Sequence, residues 1–359
     1  MSVKMIYHTP DYHKLVESIA RVCYQSYGKV DENSHKLVRG IMNKGHLSVA
    51  SSGNMVFEIR GEGINTNSGN HHEFILTLIE LMEYKEINNF IRWTTPSNEN
   101  SRQDVVTVSM NILTFLDIYN HIHEHGFDKL FKQIVEEVSK VPYLKWFFDS
   151  SVEVPPSESP YFASPSLGDP VVLTQDYTAL KALGLTDYEL DIHATVTVDY
   201  VTDRATGLQA WRHGDMTGGC ELSQRYCDRS NAVVRELLHV GEYPDQLYSY
   251  AEMEEISIEE ARLHFDAVVQ SINNVYKSNV DFYADVNETL KVLGLSSNRA
   301  REVARTVLGN FMTTRIIQCR PLRQWKHFFT LRDTSHAQKE IREDARAMKK
   351  AFKQVGVSL

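Results

Sequence analysis

The chain has 359 residues, of which 42% are hydrophobic and 24% charged, and carries a net charge of −9. That balance belongs to a water-soluble folded protein long enough to bury a large core. It argues against a surface that wraps polymeric nucleic acid, which would show a basic face, yet leaves room for a single nucleotide in a local arginine pocket. No apolar run reaches the roughly 18 residues of a membrane span, and the N-terminal MSVKMIYHTPDYHK has no apolar signal core. The expected location is the cytoplasm, with no membrane partner.

In chain order, residues 11–26 and 33–44 read as helices, the first with Leu15, Ile19 and Val22 on one face and the second stopped by Gly45. Residues 54–60 read as a strand. A stretch from about 62 to 190 then departs from the flanking pattern and is expected to be a large, mostly helical insertion. It has helical periodicity near 73–86, 107–124 and 128–139 and an irregular Pro/Ser-rich piece near 154–170. His121, His123 and His125 fall at its helical part. Their spacing puts only the outer pair on one face and no HExxH accompanies them, so no metal site is expected.

Residues 192–202 alternate and are β-branched, with Ile192, Ala194, Val196 and Val198 on one side, and predict a strand. Directly after it come Gln209-Ala210-Trp211-Arg212-His213-Gly214 and Glu221-Leu222-Ser223-Gln224-Arg225-Tyr226. Arginine forks and a serine hydroxyl crowded into so few residues suit a small phosphorylated ligand better than a packed core. Gly218-Gly219 makes neither a GxGxxG nor a P-loop. Residues 257–283 predict a long amphipathic helix with Ser257 as its N-cap. Residues 297–308 predict another, with Arg301 and Arg305 on one face, and 312–319 read as strand-like or irregular. The run Arg323 to Gln338 holds a second polar cluster. There Arg332 is expected directly before a helix that starts near Asp333 or Ser335 and ends near Val355, with His336 on its first turn. The cysteines, Cys23, Cys220, Cys227 and Cys319, form no CxxC pair and read as buried or half-buried free thiols. Cys227 lacks a nearby base that would make it a nucleophile.

Taken together, these segments resemble the flavin-dependent thymidylate synthases (ThyX). RHG…ELSQRY resembles that family's RHR…ExSxRY signature, Arg21 to Tyr27 its RxCYxS segment, and Gly45-His46-Leu47-Ser48-Val49 its GHxS/T segment. Asp203-Arg204 resembles its DR lead-in and the stretch from Arg305 to Ile341 its C-terminus. The similarity covers residues 15–61, 192–229 and 297–352. It implies an α+β fold with a central antiparallel or mixed sheet flanked by helices. It also implies a homotetramer with sites between subunits, the cofactors FAD and NADPH, methylenetetrahydrofolate as carbon donor, and a pyrimidine deoxynucleoside monophosphate as substrate.

By position, the resemblance places Gln209, Arg212, Glu221, Ser223, Gln224, Arg225 and Arg305 on the nucleotide, with Ser223, Arg225 and Arg305 at its phosphate. Arg332 is expected at the pyrimidine edge as the catalytic residue, where a fixed positive charge favours the anionic ring whose C5 is nucleophilic. His46, Ser48, Arg212, His213, Glu221, Arg323, His327 and His336 fall on the flavin side. The chain departs from the pattern at Gly214, at Cys220, at Ser51-Ser52 where the family carries Glu-His, and at Pro321 where it carries Asn, all on the flavin or folate side. The segment from Gly214 to Cys220 is also one residue longer than the pattern. Three readings follow: methylation of dUMP to dTMP, methylation or hydroxymethylation of dCMP or dUMP to a modified nucleotide, and a non-catalytic nucleotide-binding homologue.

Overall fold

The computed structural model describes residues 1–26, 34–44, 47–61, 72–96, 104–123, 128–149, 151–153, 164–213, 218–235 and 244–359. The chain divides into two compact units, residues 1–200, 212–221 and 316–359 in the first, and 201–211 and 222–315 in the second.

The first unit is α+β and is built on two four-stranded sheets where one central sheet was expected. The first sheet contains β1 (Ser2–His8), β2 (Met55–Arg60), β3 (Arg92–Thr94) and β4 (Val105–Met110), in the antiparallel order β1-β2-β4-β3. Phe57 lies opposite Val108 and Ile59 opposite Val106. Almost every residue of β2 and all of β4 are buried, which explains why both read as nearly continuous apolar or β-branched runs. Leu15, Val16 and Ile19 of helix Tyr12–Tyr24 share this core with Phe57 and Val108.

Residues 107–110, expected as the start of a helix, are strand. The helix begins only at Ile112, where the Asn111 side chain accepts from Thr114 N at 2.8 Å. The stretch 62–190 is therefore not simply helical. It supplies β3, β4 and β5 (Val171–Gln175) besides helices His72–Ile87, Ile112–His123 and Lys129–Ser139.

The second sheet has the order β5-β6-β8-β7, with β6 at Thr195–Asp203, β7 at Gly218–Glu221 and β8 at Thr313–Pro321. Ile192 and His193 end helix Asp187–His193, which a Thr186–Glu189 capping box starts, so the strand begins three residues later than the alternation suggests. Helix Leu322–Arg332 lies on this sheet. Trp325 Nε1 donates to Val196 O at 2.9 Å, Leu322 N to Ala194 O at 2.8 Å, and Lys326 pairs with Asp191 at 2.7 Å. Trp325, Phe328 and Phe329 pack edge-on and stacked with one another, and Trp325 and Phe329 each meet Phe352 of helix Lys339–Gln354 edge-on.

This apolar face corrects the expected C-terminal helix. Arg332 is the last residue of one helix, residues 333–338 form a turn that carries His336, and the final helix starts at Lys339.

The second unit contains helices Arg204–Trp211, Pro244–Met253, Ile258–Val292 and Ser297–Ala304, the last continued by a short 3-10 turn, Arg305–Val307. Ser257 caps the long helix, accepting from Glu260 N at 3.1 Å, and the helix runs nine residues beyond its expected end. A buried Arg235–Asp203 pair at 3.4 Å and the Val234–Met312 bridge hold its interior. No helix among the described residues is long and apolar enough to cross a membrane, and no described group of three or more His, Cys, Asp or Glu side chains could hold a metal ion.

Candidate functional site

In the first unit, β8 ends in Gln318-Cys319-Arg320, all fully buried. An arginine there must find partners or aromatic faces, because burial otherwise penalises its charge. Arg320 donates to the His213 carbonyl and, at 3.2 Å, to Gln318 Oε1, which also accepts from Tyr200 OH at 3.1 Å. Its guanidinium lies 5.1 Å from the Trp325 ring centre and 5.6 Å from that of Phe328. Burial lowers the Arg320 pKa to about 10, which leaves it charged at neutral pH.

The consequence falls on His213. Its backbone is fixed by Arg320, its ring meets Phe328 edge-on at 5.6 Å, and its Nε2 accepts from Arg332 Nε at 2.6 Å. Burial first, then the charges of Arg332, Arg320 and His327, press its pKa down to about 4. His213 is therefore neutral at pH 7, as an acceptor for arginine must be. Arg332 is held in turn by the end of its helix. The next residue, Asp333, pairs with Lys349 at 2.9 Å and Arg346 at 2.7 Å, both on the final helix, and these bonds hold its carboxyl below the usual range. With Nε committed to His213, the outer nitrogens of Arg332 are the ones left to face a ligand.

Arg212, Arg323 and His327 of the same unit are exposed, and among the described residues neither arginine has a carboxylate partner. Ser48 is exposed, and its carbonyl accepts from Ser51 Oγ at 2.5 Å. Glu221 ends β7, half-buried, and His336 is exposed in the turn after Arg332. His46 and Gly214 lie outside the described residues.

The departures have local structural meaning. Ser51 and Ser52 are buried, and a Cβ on Gly218 would stand 2.5 Å from Ser51 C and Oγ, so β7 passes this serine turn only as glycine. Cys220 is buried and donates to Ile19 O at 2.9 Å, and its contact with Cys23 lowers the Cys23 thiol pKa. Pro321 stands at the N-cap of helix Leu322–Arg332 and offers no side-chain cap.

In the second unit, Ser223 Oγ accepts from Arg225 N at 3.2 Å and Ser223 O from Cys227 N at 3.0 Å, curling 223–227 into a compact turn. Arg301 Nη1 donates to Tyr226 O at 3.2 Å and ties the turn to helix Ser297–Ala304. Glu302 pairs with Arg225 at 2.7 Å and with Arg299 at 3.1 Å. Arg305 follows at the helix end, exposed and with no carboxylate partner among the described residues. Arg225 and Arg299 thus share the Glu302 carboxylate, while Arg301 is committed to the turn. Gln209 sits half-buried on helix Arg204–Trp211 and Gln224 half-buried in the turn.

The structure thus groups the expected residues within each unit: His213 with Arg332, and Ser223 with Arg225. The buried Tyr200–Gln318–Arg320 network was missed by sequence reasoning. Its only signal was Gln318 and Arg320 following the apolar pair Ile316-Ile317 in the strand.

A family model described as thymidylate synthase complementing protein matches residues 4–65 and 192–356. A flavin-dependent thymidylate synthase from Aquifex aeolicus (strain VF5) is 32% identical over 130 residues, which cover 36% of this chain and 36% of that protein. The matched region therefore spans about a third of that relative.

Proposed function

The chain belongs to the thymidylate synthase complementing protein family, and from that premise we propose that it is a flavin enzyme that methylates a pyrimidine deoxynucleoside monophosphate, dUMP to dTMP. The observation that carries the reading is Arg332, fixed by neutral His213 and by the Asp333 clamp so that a permanent cation is presented at one orientation. A preorganised charge of this kind costs no rearrangement when a uracil ring becomes anionic.

The roles follow the resemblance residue by residue. Ser223, Arg225 and Arg305, with Gln209 and Gln224, hold the nucleotide; the phosphate takes over Arg225 from Glu302, a surface pair weak enough to be exchanged. Arg212, Glu221 and Arg332 face the base, and Arg212 with Ser48, His46, His213, Arg323, His327 and His336 lines the flavin side. The donor set fits FAD, because exposed arginines without carboxylate partners suit its phosphates. When bound, the flavin supplies the hydride that completes the methyl group, methylenetetrahydrofolate being the carbon source and NADPH the reductant. Arg332 holds charge at the pyrimidine, and neutral His213 keeps Arg332 aimed. The subunits assemble as a homotetramer, consistent with an exposed apolar stripe on helix Ile258–Val292.

The test is to titrate the purified chain with FAD and dUMP, following the flavin spectrum. Saturable binding of both is the expected result; binding of neither ends the reading. A product carrying an added CH2O, or one formed on dCMP, would assign the remodelled Ser51-Ser52 and Pro321 region to a nucleotide-modifying reaction.

A further inference from the structure

Two cysteines far apart in the sequence meet inside the first unit. Cys220 lies on β7, whose residues alternate buried and half-buried from Gly218 to Glu221, so Gly218 and Cys220 face the interior together. Only glycine at 218 lets β7 lie against the turn Leu47–Ser51. That placement brings Cys220 to helix Tyr12–Tyr24, where its Sγ donates to Ile19 O at 2.9 Å across 201 residues of sequence. Cys23 is one helical turn further on, and its backbone N–H belongs to that same carbonyl. The Cys220 thiol is therefore delivered to the turn of helix that carries Cys23.

The two thiols also touch. A hydrogen bond from Cys220 outweighs burial and the Glu221 charge and holds the Cys23 thiol below its usual pKa. Their access differs. Cys23 is half-buried, whereas Cys220, Cys227 and Cys319 are buried. A partly open thiol inclined to ionise, with a second thiol in contact behind it, is the arrangement in which oxidation ends in a disulfide and not in a higher acid.

We propose that Cys23 and Cys220 are a modification site, joined reversibly as a disulfide when the chain meets a peroxide. The Cys23 thiolate attacks one oxygen of hydrogen peroxide and the O–O bond breaks. Cys23 becomes a sulfenic acid, and the expelled hydroxide leaves as water with the proton that Cys23 gave up. The Cys220 sulfur then attacks the Cys23 sulfur and the S–O bond breaks. The departing hydroxide takes the Cys220 proton and leaves as a second water. Two thiols have lost two electrons and one peroxide has gained them; a dithiol reductant reverses the change by exchange. The bond ties β7 to helix Tyr12–Tyr24. It needs cysteine at both positions and does not rest on the methyl-transfer reading.

The experiment exposes the full chain, reduced and then freed of reductant, to hydrogen peroxide. The remaining thiols are alkylated, and intact mass and unreduced peptides are read. The reduced chain carries four alkylatable thiols; the oxidised chain should carry two and yield one linked peptide pair, Cys23 with Cys220. Dithiothreitol should return all four. Cys220→Ser should give no linked pair and leave Cys23 as a sulfenic acid that dimedone traps, and Cys23→Ser should leave Cys220 unoxidised at the same dose. Cys23 driven to sulfinic acid in the unaltered chain while Cys220 stays alkylatable would mean that the fold holds the sulfurs apart, and would overturn the proposal. A linked pair containing Cys227 or Cys319, or a Cys23–Cys220 pair that forms only in urea, would overturn it equally. None of these outcomes depends on whether the chain binds dUMP or flavin.

Discussion

In the proposed reaction Arg332 is the residue assigned the chemistry, and in the structure His213 holds Arg332 through its Nε. Replacing Arg332 by Ala should remove nearly all turnover, a loss of about 10²-fold or more for a donor aimed at developing charge, while nucleotide binding is partly kept. Ser223→Ala and Arg225→Ala should instead raise the dUMP Kd, by about tenfold for a charged phosphate contact. Equal loss of binding in all three, measured by titration, would erase this division of labour. The pH dependence follows from the same pair. The His213 pKa is depressed to about 4 in the fold, whereas an unfolded histidine titrates near 6.5. The unfolded chain thus binds the extra proton first, and the stability due to neutral His213 is lost as pH falls from about 6.5 towards 4. Nuclear magnetic resonance of the His213 ring should show no titration between pH 5 and 8. In Arg332→Ala its pKa should rise, since one of the charges opposing the proton is gone. Arg332, His213 and Ser223 were legible as residues of interest because charge and hydroxyl groups crowd there. Their pairing was not, because Arg332 and His213 are 119 residues apart in sequence.

At the scale of elements, helix Leu322–Arg332 is what aims Arg332, and Trp325 is what seats that helix. Trp325 is fully buried and donates to Val196 O. Trp325→Ala should therefore cost about 3–5 kcal/mol through cavity and lost donor together, read as a lowered urea midpoint with unchanged slope. A loss below about 1 kcal/mol would mean the helix is seated otherwise. The sequence reading misplaced this helix because Asp333-Thr334-Ser335 looks like an N-cap. The Asp333 carboxylate is instead used by side chains 13 and 16 residues further on, a long-range choice that local pattern does not report. The β4 boundary was lost for the opposite reason. Val105–Met110 and Ile112–His123 are separated by one residue, Asn111, and two apolar elements that close read as one period. Where the local signal had no competitor, as at the Ser257 cap and in the β-branched run of β6, the predicted helix start and the predicted strand stand within a few residues.

For the whole molecule, two units emerged that composition did not announce, since both draw on discontinuous parts of the chain. The α+β class was legible from alternating strand and helix patterns. The division into two sheets was not, because β3 gave no strand signal and β4 runs into the stretch 107–124 that looked helical. On the long helix of the second unit, Val268, Val275 and Phe282 recur every seven residues and are each more than half exposed. A heptad of exposed apolar residues is the pattern of a helix awaiting a partner helix, and the homotetramer reading assigns it to another copy of this chain. Val275→Lys should shift the mass measured by light scattering towards smaller species while circular dichroism stays unchanged; an unaltered mass would remove the stripe from the assembly. The central claim is the methylation of a pyrimidine nucleotide, and the measurement that tests it most directly is the mass of the nucleotide recovered after dUMP is incubated with the protein, FAD, NADPH and methylenetetrahydrofolate. The account predicts a product heavier than dUMP by one CH2 group, absent with Arg332→Ala. Unchanged dUMP recovered from protein holding reduced flavin and bound nucleotide would contradict it.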